Sequence, residues 1–334
     1  MRPTDADQGS FPLSNPVICV VGPTASGKTD LAQALALELD GEVLSADSMQ
    51  IYRGMDIGTG KLPACERLVP HHGFDLVDPG EPFSAALFQD YARARFRDID
   101  ERGKRIVMAG GTGFYVRAAI DAYEFPGGEQ VSNPVREHYL AVAREQGAEA
   151  LWELLRARDA ESAALIPPAD VKRVVRAFEL LEEGATYAEQ RAKLARIPQL
   201  VPAVFLGMEV DPAVLRARID ARVDAMVEAG LVDEVKGLLE RGFREGVTAP
   251  QAIGYKEIVA ALDGRISLEE AVEQIKLATR RYAKRQRTWF RKDARIAWLQ
   301  ADEADTPALL AQARTVLRDN VSGRFPDGAP DMLC

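Results

Sequence analysis

Residues 22–29 read GPTASGKT, between an apolar run, Val17 to Val21, and a stretch, TDLAQALALELD, whose apolar residues recur at helical spacing. In that setting the pattern G-x-x-x-x-G-K-[ST] predicts a strand, a glycine turn and the start of a helix. No other feature constrains the fold as strongly, because a strand feeding a helix in this way belongs to a parallel sheet covered by helices. The loop also has a chemistry. Its glycines let successive backbone N–H groups face an anion, the helix N-terminus adds positive potential, and Lys28 adds a full charge. Gly22, Pro23, Thr24, Ala25, Ser26, Gly27, Lys28 and Thr29 are therefore expected to hold phosphate groups. The Thr29 hydroxyl can serve Mg²⁺, which prefers few protein ligands beside phosphate oxygens.

The remaining chain continues the alternation. EVLSAD predicts a second strand ending at Asp47 and GFDLVD a third, while FSAALFQDYARARFRDIDERGK is helical and RIVMAGGTG is a strand entering a second glycine turn, Gly110 to Gly113. Residues 124–198 carry helical periodicity throughout, opened by Pro126-Gly127-Gly128 and closed by Ile197-Pro198, and read as a helical insertion. VPAVFLGMEV returns to strand character, followed by helices near 212–229, 232–241, 250–263 and 267–291 and a last strand, RIAWL. Ser267 and Glu270 form a capping box at the start of the last of these helices. The expected architecture is an α/β core, residues 16–123 and 199–320, with a parallel sheet flanked by helices on both faces and an all-helical insertion. The termini, 1–15 and 321–334, read as loose segments. Ligands of such sheets sit beyond the carboxyl ends of the strands, where the loop at 22–29, Asp47 and the turn at 110–113 should converge.

Phosphate binding alone leaves the reaction open. A GTP switch uses an N-K-x-D guanine reader, and the three asparagines, Asn15, Asn133 and Asn320, are never followed by lysine. A motor ATPase wants an acid after an apolar strand, and RIVMAGG ends in glycine, leaving Asp47 as the acid beside the loop. A small-molecule kinase or an unusual transferase remains. In SADSMQIYRGMDIGTGK the sequence Asp47-Ser48-Met49-Gln50 gathers a carboxylate and two hydrogen-bonding side chains at a strand end. A carboxylate so placed can bind a metal or take a proton from a nucleophile, and Ser and Gln suit the edge of a base; an ordinary Asx turn is the plainer alternative.

The formal net charge is −9, yet Lys276 to Arg295 holds nine cationic side chains against one acid, Asp293. A basic stripe on an acidic chain signals a local anionic partner. Trp289 and Phe290 within it can stack on bases, although at helical spacing they read first as core. The three cysteines, Cys19, Cys65 and Cys334, form no CxxC pair and the three histidines no metal-ligand spacing, which fits a reducing cytoplasm and no zinc site. There is no apolar run of membrane-spanning length.

The blocks GPTASGKT, ADSMQIYRGMDIGTGK, GGTGFYV, QAIGYKE and AKRQRTWFRK, in this order, closely resemble the bacterial tRNA dimethylallyltransferases (tRNA isopentenyltransferases), from about Val17 to Leu299. One departure is Gly60, where alanine is expected. The resemblance implies that the loop grips the diphosphate of dimethylallyl diphosphate and not ATP, with Mg²⁺, and that the acceptor is N6 of the adenosine 3′ of the anticodon in the anticodon stem-loop. It implies catalytic roles for Asp47 as general base and for Thr24, Lys28 and Arg222, with Arg218 as the fallback arginine. It places the RNA against Asp47, Ser48, Met49, Gln50 and Thr112, against Arg136, Lys172, Arg173, Val174, Val175 and Arg176 of the insertion, and against Gln251, Gly254, Tyr255 and Lys256. Lys284, Arg285, Gln286, Arg287 and Arg291 complete that footprint. A monomer with no membrane or obligate protein partner is expected. Two rivals stand beside it: a kinase with Lys172, Arg173 and Arg176 as a mobile lid, and an RNA-binding protein whose nucleotide site is only a regulatory switch.

Overall fold

The computed structural model describes residues 11–125, 133–303 and 305–320. The turn at Pro126-Gly127-Gly128 and the segments 1–10 and 321–334 lie outside the described residues. The chain separates into two compact units, Met1–Asp121 with Leu200–Cys334, and Ala122–Gln199.

The first unit is built on a six-stranded parallel sheet in the order β3-β2-β4-β1-β5-β6. The strands are β1 (Val17–Val21), β2 (Gly41–Ser45), β3 (His71–His72), β4 (Arg105–Gly110), β5 (Ala203–Glu209) and β6 (Ile296–Gln300). β1 lies between β4 and β5, pairing Ile18 with Val107 and Val204. All five β1 residues are buried because both faces are covered. Ile18 and Val20 pack into one core with Leu31, Leu206, Ile219 and Ile275, while Val17, Cys19 and Val21 pack into the other with Phe88, Phe96 and Val116. The period-two alternation of β1 thus feeds two cores from one strand.

The helices of this unit are α1 (Lys28–Glu38), α2 (Ala85–Glu101) and α3 (Gly113–Ile120) before the insertion. In the second unit come α4 (Pro134–Gln146), α5 (Ala148–Arg158), α6 (Ala160–Ala164), α7 (Val171–Glu182) and α8 (Tyr187–Ala195). The first unit resumes with α9 (Pro212–Glu228), α10 (Leu231–Leu239), α11 (Tyr255–Leu262), α12 (Leu268–Phe290) and α13 (Thr306–Asn320). The capping box of α12 forms as the sequence predicts, Ser267 Oγ accepting from Glu270 N and Glu270 reaching back to Ser267 N. The second unit, α4 to α8, has its own core of Leu151, Leu155, Val174, Val175 and Phe178, with Tyr139 stacked on Phe178 at 3.8 Å.

Three expectations need correction. The third strand is His71–His72 and not GFDLVD, because Gly73 and Asp75 adopt positive φ and end the run, leaving only a bridge between Tyr52 and Val77. The helix expected over 250–263 begins only at Tyr255, after a short 3₁₀ turn at Ala249–Gln251. Residues 11–15 are not loose: Phe11 is buried beneath the Arg97 guanidinium and Ser14 N donates to the Asp100 carboxylate.

Candidate active site

The glycine turn leaves β1 at Val21 and enters α1 at Lys28. Glycine at 22 is dictated by position: its φ is +149°, and a Cβ there would stand 2.9 Å from Met208 Cβ on β5. Ala25 and Gly27 take left-handed conformations, φ 61° and 84°, which turn the loop around an anion-sized hollow. Ser26 Oγ and Lys28 Nζ both donate to Pro23 O, at 2.8 and 2.5 Å, tying the loop from within. Thr24 N donates to Gln286 Oε1 at 2.8 Å, and Gln286 Nε2 donates to Gly111 O at 3.0 Å. One buried glutamine of α12 therefore joins the loop after β1 to the turn after β4.

Asp47 lies two residues beyond the end of β2. Its Oδ1 accepts from Met49 N at 2.9 Å, so the Asx turn is present. Its Oδ2 has no hydrogen bond among the described residues, and the carboxylate lines two neighbouring cavities. Ser48 N donates to Thr112 Oγ1 at 3.0 Å, which fixes the backbone carrying the carboxylate.

Arg222 on α9 completes the centre. Its guanidinium makes no hydrogen bond among the described residues, and its surroundings hold its pKa below the usual arginine value by desolvation, opposed by the charges of Asp47 and Asp30. Lys28 is pushed down to about 7, first by burial and then by the charge of Arg222, with Asp47 opposing. Gly60 sits against this arginine at φ +60°, and a Cβ there would fall 1.6 Å from Arg222 Nη2. The glycine found at this position thus leaves the space that the guanidinium fills. Arg218 also borders the smaller cavity, but its guanidinium is engaged, donating to Ala301 O and Asp302 O just beyond β6.

The cavities meet at Thr24, Asp47, Thr59 and Arg222. The smaller, 380 Å³, is the loop's own hollow, lined by Thr24 to Asp30. The larger, 480 Å³, has apolar walls from Ile219, Val223, Met226 and Ile253 and a polar mouth with Gln251, Lys256, Arg281 and Arg285. An anion cradle with two cations opens, past one free carboxylate oxygen, into an apolar channel with a basic mouth. That arrangement suits a reaction in which an anionic group leaves and a proton is removed.

The comparisons with known proteins fit this geometry. A model of the IPP transferase family matches residues 50–293, and an isopentenyl transferase model matches residues 15–69. The chain belongs to the IPP transferase family. A relative in Geobacillus thermodenitrificans, a tRNA dimethylallyltransferase, is 46% identical over 88% of this chain and 93% of its own length. One in a Nocardioides species, of the same description, is 44% identical over 93% of this chain and 99% of its own. The crystal structure of the full-length tRNA isopentenylpyrophosphate transferase of Bacillus halodurans superposes with a TM-score of 0.67 at 41% identity, covering 92% of this chain and 98% of that one. A eukaryotic dimethylallyltransferase, described in crystallographic snapshots as acting on tRNA, gives a TM-score of 0.74 at 29% identity, covering 92% and 79%.

Within this IPP transferase the residues singled out from sequence divide into groups. Thr24, Asp47 and Arg222 lie at the junction of the cavities, and Lys28 lines the smaller one beside them. Ser48, Met49, Gln251 and Lys256 line the channel. Gln286 does not face outward; it is 5% exposed and spent on the phosphate loop. Gln50 borders the smaller cavity, but its amide is engaged within the protein, accepting from Ser45 Oγ and donating to Thr59 O and Gly60 O. Gly254 and Tyr255 also border the channel, although Tyr255 is fully buried and its hydroxyl donates to Glu234. Val174 and Val175 are core residues of the second unit, closed to any ligand. Arg136 and Arg176 are paired with the buried Glu179 of their own unit, whereas Lys172 and Arg173 are exposed, Arg173 beside Asp170 at 3.3 Å. Trp289 is 43% exposed and only Phe290 is core. Four cations of the stripe are paired: Lys276 with Asp224, Arg280 with Asp220, Arg291 with Glu209 and Arg295 with Asp121 and Asp293.

Sequence reasoning missed Thr59, at the junction, and the wall Ile219-Val223-Met226. The wall has helical i, i+4, i+7 spacing with Arg222 beside it, a signal that by itself reads as core. It also missed Tyr282, whose phenol is pushed up to about 12, first by burial and then by the charge of Asp47, whereas Arg281 had been counted in the basic stripe.

Proposed function

We propose that this chain transfers a dimethylallyl group from dimethylallyl diphosphate to N6 of the adenosine immediately 3′ of the anticodon in tRNA, releasing pyrophosphate. The observation that carries the reading is the junction itself, where Lys28 and Arg222 meet one carboxylate with an uncommitted oxygen. An adenine amino group is a poor nucleophile because its lone pair is delocalised into the ring. Asp47 Oδ2 takes its proton as the bond from N6 to the allylic carbon forms. The bond from that carbon to oxygen breaks, and its electron pair leaves with the diphosphate. Lys28, Arg222 and the loop amides neutralise that charge, and Thr24, lining both cavities, serves the same handover. Among the described residues no cluster of three or more His, Cys, Asp or Glu side chains forms a metal cage. The exposed Thr29 in the first turn of α1, next to Asp30, instead suits a Mg²⁺ that takes its other ligands from phosphate oxygens and water. Bound there, Mg²⁺ adds positive charge toward the leaving group.

The anticodon loop is single-stranded, so its target base can be splayed out and read in a channel that excludes water. Ser48, Met49, Thr112, Gln251 and Lys256 serve that base and its neighbours. Arg281, Lys284, Arg285 and Arg287, with Lys172 and Arg173 of the second unit, take the phosphates. The enzyme acts as a cytoplasmic monomer. Replacement Asp47→Ala tests the assignment: turnover falls about 10²–10⁴-fold while tRNA affinity stays within about twofold. Turnover at the parent rate would remove Asp47 as the base.

A further inference from the structure

The segment Asp56 to Gly60 forms the wall of the junction facing the phosphate loop. It carries Thr59, which lines both cavities, and Gly60, against which the Arg222 guanidinium rests. Three successive backbone amides of this segment converge on one carboxylate of α10. Glu234 Oε2 accepts from Asp56 N at 3.0 Å and from Ile57 N at 2.7 Å, and Oε1 accepts from Gly58 N at 3.1 Å. The same Oε1 accepts a hydrogen bond from the Tyr255 hydroxyl at 2.6 Å. Tyr255 is fully buried and packs closely against Gly58, where a Cβ would stand 2.6 Å from its ring. Convergent amides of this kind form a nest that wants an anion, and here the protein supplies it from behind. Glu234 itself lines neither cavity, so it touches neither substrate.

We propose that Glu234 and Tyr255 are positioning residues for the transfer, holding the 56–60 segment so that Thr59 and Arg222 meet the leaving diphosphate. The proposal rests on the prenyl-transfer reading for its kinetic half alone. Lys61 holds Asp56 at one end of the segment, and Gln50 Nε2 holds Thr59 O and Gly60 O at the other, which leaves Glu234 as the anchor of the amides at 56–58. A glutamine at 234 keeps the shape but has one oxygen where four donors now meet two, and its amide N–H₂ confronts one of them. Displacements of about 1 Å around a reacting centre cost up to about 10²-fold in rate.

Two readouts on Glu234→Gln and Tyr255→Phe test this. With tRNA and dimethylallyl diphosphate, kcat for Glu234→Gln is expected to fall about tenfold or more while the tRNA dissociation constant stays within about twofold, and Tyr255→Phe to fall less in the same sense. Amide hydrogen exchange is expected to speed up at Ile57 and Gly58 while β1 and β4 keep their protection. Parent-like kcat in Glu234→Gln, or exchange that accelerates across the whole sheet, overturns the positioning role. If the unsubstituted enzyme transfers no prenyl group, the functional reading fails instead, and the exchange pattern still decides whether Glu234 anchors the segment.

Discussion

Lys28 and Arg222 are brought together with little to neutralise them but Asp47 and, more remotely, Asp30. Burial disfavours the ammonium and the neighbouring Arg222 charge adds to that, so the Lys28 pKa is pushed down to about 7 from the ordinary lysine value of 10.5. An anion binds the protonated ammonium, so diphosphate binding draws in a proton above pH 7, and affinity declines as pH rises through and beyond that value. Calorimetry of pyrophosphate binding at pH 8, run in two buffers of different ionisation heat, should report a larger proton uptake for the parent than for Lys28→Met; equal values in the two contradict the assignment. Asp47 and Lys28 were legible in the sequence because each lies next to a strand end that a local pattern identifies. Gln286 and Glu234 were not. Their hydrogen bonds span 262 residues to Thr24 and 178 to Asp56, separations that no local pattern reports.

At the scale of elements, α12 shows how far composition reads correctly and where it fails. The run from Lys276 to Arg295 signalled one basic surface, but a helix of 23 residues has faces. Ala283, Gln286 and Phe290 lie on the buried face, Lys284, Arg285 and Thr288 on the exposed one, and the phase that separates them follows from packing. The two faces should separate in experiment. Gln286→Ala unties the phosphate loop and should weaken diphosphate binding while leaving tRNA affinity within about twofold. Lys284→Ala with Arg285→Ala should weaken tRNA binding and flatten its salt dependence by roughly 1.4 in log–log slope, since each lost single-strand phosphate contact contributes about 0.7. A tRNA defect in Gln286→Ala equal to that of the double variant would place Gln286 back on the RNA surface. The parallel core was legible for a related reason: buried strands between helices leave a continuous apolar signature. β3 was not, because an edge strand of two residues leaves none.

Across the whole molecule, charge is divided by function. The chain is acidic overall, at −9, while five cations of the α12 region, Arg281, Lys284, Arg285, Arg287 and Lys292, have no ion pair among the described residues. On an acidic body such unpaired cations focus the attraction for RNA, and Arg281 and Arg285 stand at the channel itself. The same economy separates a transferase from a kinase. A kinase has no use for the stripe, and an RNA-binding protein with a mere nucleotide switch has no use for a free carboxylate oxygen between cradle and channel. The most direct measurement is therefore mass spectrometry of an unmodified tRNA incubated with the protein, Mg²⁺ and dimethylallyl diphosphate, with ATP omitted. The account predicts a gain of one C₅H₈ unit on the adenosine 3′ of the anticodon and one pyrophosphate released for each unit gained. No gain on the tRNA, together with ATP consumption when ATP and a small acceptor are supplied, would contradict it.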